Sequence, residues 1–366
     1  MEVADYDKLW SGIPLDILGL ISLRLVAADY FVFRAVCKHW RYAPLTSPPC
    51  PQSYTPSPCL MTLQKETGMV EFFDPVYNVV TTQKADIPKF RGARIRSSKA
   101  NWLLMSHGTR GMFFFNTISN DIIELPDQLD ENENSCSAWT FSCLPDSSSS
   151  DCFVVGFETG GYVPDVYIIK VGDIEWTYHF FRNHRAKFQA TGCNNPLFFK
   201  NNIICVLGDK GNLGTLSIKE NSAAQRPKWK FYGKHFSRSK QRSIRKAYMV
   251  EDVDNGGMAV VFLSRDEGDV EVWRYKLNEE VLEREKITSL ENNKTLFVSF
   301  GGSYLRTYVA QGLGNKIYLP MFHDNKGVFY CLVNRKYYSF DYSAIKAYSS
   351  SNIFNLVQPR SCIWIE

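Results

Sequence analysis

The order of apolar and polar positions divides this chain in two. Near the N-terminus, Pro14 and Asp16 are followed by Ile17, Leu18, Leu20, Ile21, Leu23, Leu25 and Val26. Proline is tolerated in the first turn of a helix, and an acid there complements the positive end of the dipole. A second helix is predicted from Asp29, a good N-cap, to Arg41, with Val32, Phe33, Val36, Cys37 and Trp40 as its apolar face. Lys38 and Arg41 suit its last turn, and Pro44 ends it. At 100° per residue the apolar positions of the first helix spread almost all the way round, so it must be covered on more than one side. The cover comes either from the rest of the chain or from a separate protein.

Residues 44–58 hold Pro44, Pro48, Pro49, Pro51, Pro56 and Pro58 and read as an extended, semi-rigid linker. From Cys59 onward the pattern changes to short apolar runs separated by Gly, Asn and Asp. Runs starting near 59, 103, 153, 203, 259 and 317 are spaced by 44 to 58 residues. Each is followed by a turn and a second run: Val70–Phe73, Met112–Phe115, Val166–Ile169, Leu213–Ile218, Val270–Tyr275 and Val328–Leu332. Two units share detail, since Gly68-Met69, Phe73-Asp74, Asn78 and Val80 match Gly111-Met112, Phe115-Asn116, Asn120 and Ile122.

A period of about 40–50 residues with several strands per unit is the mark of propeller blades. One small sheet cannot bury both faces, whereas a closed ring of sheets can. The expected architecture is a helical head over residues 1–43, the linker over 44–58, and a β-propeller over 59–366. About six four-stranded blades are predicted, with a seventh left open by the stretched later spacings. The tail Cys362–Ile365 is a candidate closing strand for the first blade. A pair of β-sandwiches is the rival; it explains the alternation but not the repeat.

Composition narrows the class. Hydrophobic residues at 45% and charged residues at 22% are ordinary for a globular chain, so its core needs no disulfide support. The ten cysteines lack paired spacing, and Met1–Gly12 is acidic with no apolar signal-peptide core. No run of about 18 apolar residues occurs, so no membrane span is expected. Free thiols in the cytoplasm or nucleus are the expectation.

The net charge of +4 calls for no polyanion, but its distribution is uneven. Residues 111–169 contain no Lys or Arg and include Asp121, Glu124, Asp127, Asp130, Glu131 and Glu133. Residues 221–250 contain no Asp or Glu and hold nine cations between Arg226 and Lys246. Trp229, Phe231, Tyr232 and Phe236 interleave with them, a mixture that nucleic-acid binding would use. The blander reading, a solvated and partly disordered inter-strand loop, is preferred. A further possibility is recognition of a charged partner.

No enzyme motif stands out. Gly208–Gly214 is glycine-rich but lies between two strand patterns, so it reads as a hairpin turn and not a phosphate loop. Cys136, Cys143 and Cys152 are too widely spaced for zinc pairs, and His179, His184 and Cys193 flank a strand pattern. No cofactor and no metal is expected. Carboxylates abound on loops without marking a catalytic pair, and propellers do host enzymes.

The N-terminal stretch resembles an F-box. Ile13-Pro14, Asp16-Ile17-Leu18, Ile21, Arg24-Leu25, Asp29, Arg34, Val36-Cys37-Lys38 and Trp40-Arg41 follow its pattern, with Ile13 in place of the usual Leu. Gly19 departs from it and weakens the helix by about 1 kcal/mol relative to Ala. The remainder resembles plant F-box proteins with a kelch-like, domain-of-unknown-function propeller. The supporting pieces are Ser97-Ser98 with Trp102-Leu103-Leu104, Phe115-Asn116 with Ile123-Glu124-Leu125-Pro126, and Gly314–Pro320.

The resemblance implies a non-catalytic substrate-recognition subunit of an SCF-type ubiquitin ligase. The head would dock on a Skp-type adaptor and, through it, on cullin and RING subunits. Ile13, Pro14, Leu18, Ile21, Leu25, Val36, Cys37 and Trp40 would face that adaptor or support the facing surface, with Trp40 foremost. The propeller would hold a target protein. A propeller enzyme or small-ligand binder with a degenerate head, and a nucleic-acid binder using residues 226–246, are the alternatives.

Overall fold

The computed structural model describes residues 12–22, 33, 36–41, 58–75, 79–83, 87–107, 111–127, 136–145, 152–158, 163–181, 188–190, 196–199, 203–218, 226–264, 269–278, 281–291, 293–307, 314–323, 326–339 and 362–365. The chain divides into two compact units, Met1–Ser57 and Pro58–Glu366.

In the first unit the described helices are α1 (Leu15–Ser22) and α2 (Lys38–Arg41). Phe33 and Val36 are helical as well. Leu18 is completely buried and packs with Phe33, Ile13 and Trp40. The Phe33 and Trp40 rings stand 4.8 Å apart. His39 Nε2–H donates to the Ile13 carbonyl at 2.9 Å, tying the start of α1 to α2. Asp29, Leu25 and Val26 lie outside the described residues.

In the second unit the described strands, numbered in chain order, form six sheets. Blade 1 joins β1 (Cys59–Leu63), β2 (Val70–Asp74) and β3 (Val79–Gln83) to β25 (Cys362–Ile365). Blade 2 is β4 (Ala93–Lys99), β5 (Trp102–His107), β6 (Gly111–Asn116) and β7 (Ile122–Leu125). Blade 3 is β8 (Ala138–Phe141), β9 (Phe153–Glu158), β10 (Asp165–Lys170) and β11 (Thr177–His179). Blade 4 is β12 (Leu197–Phe199), β13 (Ile203–Leu207), β14 (Leu213–Ser217) and β15 (Lys228–Tyr232). Blade 5 is β16 (Ile244–Asp252), β17 (Gly257–Ser264), β18 (Val270–Asn278) and β19 (Val281–Ile287). Blade 6 is β20 (Lys294–Phe297), β21 (Tyr304–Thr307), β22 (Lys316–His323), β23 (Lys326–Cys331) and β24 (Lys336–Ser339).

Each apolar run predicted from the sequence is the second strand of a four-stranded blade, or β22 in blade 6. Such strands are covered on both faces by neighbouring blades, so they are apolar throughout instead of alternating. Among the described residues one apolar cluster fills each of the six gaps between blades. That closed ring rules out the sandwich pair. Gly208–Asn212 is the hairpin turn between β13 and β14, closed by Gly208 N–H to the Asn212 carbonyl at 2.8 Å.

Six blades account for the later, longer spacings without a seventh. Part of the extra length forms α3 (Arg238–Ser243), between β15 and β16. Another part forms a fifth strand in blade 6. There β20 runs parallel to β22, and β21 runs antiparallel to β20 on its inner side. The turn between β20 and β21 then presses against blade 2. Gly301 O accepts from Ser98 N–H and Ser97 Oγ, both at 2.9 Å. A Cβ at Gly301 would stand 2.7 Å from the Arg96 carbonyl oxygen, so the approach requires glycine.

The ring is closed by β25, paired antiparallel with β1 as Leu60 opposite Trp364. Trp364 is completely buried between blades 6 and 1. Its indole Nε1–H donates to Val298 O, its backbone N–H to Ser299 Oγ, both at 3.1 Å, and its carbonyl accepts from Ser98 Oγ at 2.9 Å. Blades 1, 2 and 6 therefore meet on one residue. Trp364→Ala is expected to lower stability by about 3–5 kcal/mol. Trp364→Phe, which loses mainly the indole hydrogen bond, should cost about 1 kcal/mol. Urea unfolding followed by far-UV circular dichroism checks both; equal costs for the two variants would contradict this account of the seam.

Candidate functional site

The head separates the sequence-predicted residues into a small core and an exposed face. Leu18, Ile13 and Trp40 belong to the core, beside Phe33. Trp40 is half-buried against Phe33, so its local part is to hold the head together. Cys37 is half-buried, and its carbonyl accepts from Arg41 N–H at 3.1 Å. Pro14 is exposed and caps α1 through its carbonyl to Leu18 N–H at 3.0 Å. Ile21 and Val36 are exposed.

Beside them stand three exposed residues that were not among the expected adaptor-facing ones: Leu15, Ile17 and Leu20. Leu20 is 60% exposed, Val36 52% and Ile17 45%. At 100° per residue, Leu20 lies about 200° from Leu18, so burying Leu18 turns Leu20 outward. The helical wheel held that signal once the core side was known. An exposed group of large apolar side chains on so small a head is the surface expected of a docking site.

The propeller carries a second candidate, a cavity of about 430 Å³ at one end of its axis. Its walls come from the inner strands of several blades: Ser97–Lys99 on β4, Thr140 on β8, Leu197 on β12, Glu251 on β16 and Tyr304–Arg306 on β21. Lys99 Nζ donates to the Ser142 carbonyl at 2.6 Å. The Arg306 guanidinium lies 5.7 Å from the Tyr304 ring centroid. The Tyr304 hydroxyl is 3.0 Å from Ser98 Oγ. Burial pushes the Tyr304 phenol up to about 12, against the opposing effects of the Ser98 hydrogen bond and the Arg306 charge. It is thus a neutral hydrogen-bonding group at ordinary pH.

Glu251 is the one carboxylate among the described lining residues, so the wall shows no paired acids of the kind glycoside hydrolysis needs. Leu197 and Phe198 line the cavity together with hydroxyls and two cations, a mixture that suits noncovalent binding of a peptide-like group. Inner strands carry this lining, and they alternate too little to stand out in the sequence. Of the zinc candidates, His179 is buried on β11, while His184 and Cys193 lie outside the described residues.

The basic segment differs from its expected form. Residues 226–246 are not a loose loop but β15, α3 and the start of β16. Trp229 and Phe231 stack on each other, and Phe231 stacks on Phe188, in the gap between blades 3 and 4. Phe236 packs on Phe262 and Trp273. Three of the four aromatic residues that favoured base stacking, Trp229, Phe231 and Phe236, are therefore packed against neighbouring blades. α3 is capped by Ser237 Oγ accepting from Lys240 N–H, and Lys240 pairs with Glu271 beneath it. Glu271 also accepts from Trp273 Nε1 at 2.9 Å and Lys286 Nζ at 3.0 Å.

Residues 10–48 match the F-box domain, and residues 72–349 match the KIB1-4 beta-propeller. The chain belongs to the KIB1-4 beta-propeller family. It joins that propeller to an F-box, the make-up of an F-box substrate-recognition protein, a class that is generally non-catalytic. It is 25% identical to the Arabidopsis thaliana F-box protein At4g00893 over 373 residues, covering 98% of this chain and 86% of that one. It is 26% identical to the F-box/kelch-repeat protein At1g57790 of the same plant, covering 95% of this chain and 94% of that one. Among solved structures, the WD40 domain of SCAP from fission yeast aligns with a TM-score of 0.37 at 11% identity, over 76% of this chain and 58% of that one.

Glu271 gives the anchoring of α3 a measurable pH dependence. Burial raises its carboxyl, but hydrogen bonds from Lys240, Trp273 and Lys286 outweigh this and hold it at about 2. An unperturbed Glu titrates near about 4.3. A carboxyl depressed by folding adds stability that is present above about pH 4.3 and is lost as pH falls through about 2. Glu271→Gln should be less stable than wild type at pH 7, and the gap should have largely closed by about pH 2.5. Urea titrations at the two pH values measure it; a gap of unchanged size would show that the charge of Glu271 is not what holds α3.

Proposed function

We propose that this protein is the substrate-recognition subunit of an SCF-type ubiquitin ligase, working in the cytoplasm or nucleus. The exposed apolar face of the head, with Leu15, Ile17, Leu20, Ile21 and Val36, docks on a Skp-type adaptor, which links it to cullin and RING subunits. Leu18, Ile13, Phe33 and Trp40 hold that face in shape. Leu25, outside the described residues, is assigned to the same docking region on its place in the F-box pattern. The propeller holds the target protein, with the axial cavity as its anchoring point. Ubiquitin transfer takes place elsewhere in the assembly. This chain contributes the proximity and orientation of a target lysine, which converts a bimolecular encounter into an effectively unimolecular one.

The observation that carries this reading is the imbalance within the head. Among its described residues the buried apolar ones are Leu18 and Phe33, while five large apolar side chains remain exposed. Burying one such side chain against a partner is worth about 1.5–3 kcal/mol. Leu20→Asp and Val36→Asp in the full chain should each weaken capture by a purified Skp-type adaptor by more than about tenfold. The thermal unfolding of the propeller should not change. Leu18→Asp should abolish capture by unfolding the head. Wild-type capture by the Leu20 and Val36 variants together would overturn the docking assignment.

A further inference from the structure

We infer that the outer rim over blades 4 and 5 is a docking surface for an extended, carboxylate-rich segment of the target protein; this rests on the target-holding role proposed for the propeller. The cations there lie on one side. On β15, Trp229 and Phe231 point into the gap with blade 3, so Lys228 and Lys230, alternating with them, point the other way, towards blade 5. That is where α3 rests. Phe236 N–H donates to the Lys210 carbonyl of blade 4, and Lys240 pairs with Glu271 of blade 5. α3 adds exposed Arg238 and Arg242, and Lys234 precedes it. Lys228, Lys230, Lys234, Arg238 and Arg242 make no ion pair among the described residues.

Among the described residues, Glu271, Glu283 and Glu285 of blade 5 do not neutralise this surface. On β19, Arg284 and Leu282 face α3 and the turn before it. Arg284 lies over the Phe236 ring, and Leu282 stands against Gly233. Glu283 and Glu285 alternate to the opposite face, where Glu285 meets Arg274. Glu271 is taken up by Lys240 and Lys286. Asp269, with Glu271, lines the hollow beneath α3.

Lysines on an edge strand often serve only to prevent strand pairing. That purpose accounts for Lys228 and Lys230 but not for the further cations on an ordered helix and the turn before it. Trp229, Phe231 and Phe236 are half-buried against neighbouring blades, which leaves little of their faces for stacking bases. The cations are spread along a strand and a helix instead of converging on one pocket, so they fit a row of carboxylates better than a single phosphate. Side chains on one face of a strand repeat every about 7 Å, the pitch at which an extended peptide presents alternate residues.

The test uses the purified full chain and a fluorescent 12-residue peptide of alternating Glu and Ser, with a Gln/Ser peptide and a DNA duplex of equal charge as comparators. Anisotropy at low salt should show binding of the Glu peptide, none of the Gln peptide, and weaker binding of the duplex. K228E/K230E and R238E/R242E should each weaken the Glu peptide at least about tenfold, a loss of about 1.4 kcal/mol or more. K65E/K336E, which reverses two exposed lysines elsewhere, should leave binding within about twofold. Capture by the Skp-type adaptor, measured on the same variants, should stay at wild-type level, so loss of this surface is distinguishable from failure of the ligase reading. Three results would overturn the inference: no peptide binding, equal weakening by K65E/K336E, or a duplex that binds more tightly than the Glu peptide.

Discussion

Every blade of the propeller depends on the ring being closed. A four-stranded sheet with two apolar faces is stable only when both faces are covered, and here each face is covered by the next blade. Opening one gap would expose two of these faces at once. The closing strand comes from residues 362–365 and pairs with residues 59–63, so the seam brings together the two ends of the propeller sequence. Trp364 fills the gap there and satisfies both its N–H groups on blade 6. The entropy of closing such a long loop grows only slowly with length, but nothing offsets it until the last contacts form.

Ring packing constrains the central strands most and the rims least. Two departures from a plain four-strand repeat among the described residues lie where it leaves freedom. In blade 6 an additional strand enters beside the axis, and the turn that leads into it closes against Ser97 and Ser98. Between blades 4 and 5, the connection carries α3 across the outer end of the gap. One insertion shapes the axial cavity and the other builds the cationic rim. Connections of this kind carry function because the scaffold tolerates their variation.

The head follows a different economy of surface. Leu18 and Phe33 are buried with Ile13 and Trp40 against them, while Leu15, Ile17, Leu20, Ile21 and Val36 of its described residues face outward. A small helical unit has too little volume to enclose them all. That makes its fold and its docking face two sides of one helix, and it explains why residues that look equivalent in sequence divide between packing and exposure.

The periodicity of the chain determined a good deal by itself. Helical spacing near Ile17–Leu25 marked the head, and recurring apolar runs marked six strand pairs, because central strands buried on both faces must be apolar throughout. Even the closing strand was legible, since Cys362–Ile365 is an apolar run after a polar stretch. What only the tertiary structure decided depends on which neighbour covers each side chain. Inner strands such as Ala93–Lys99 and Tyr304–Thr307 face a cavity and show no simple alternation. The basic segment looked like a solvated loop because its charges hid the alternation of Trp229 and Phe231 with Lys228 and Lys230. The turn of Leu20 away from Leu18 likewise follows from burial, a property of the folded unit and not of the residue.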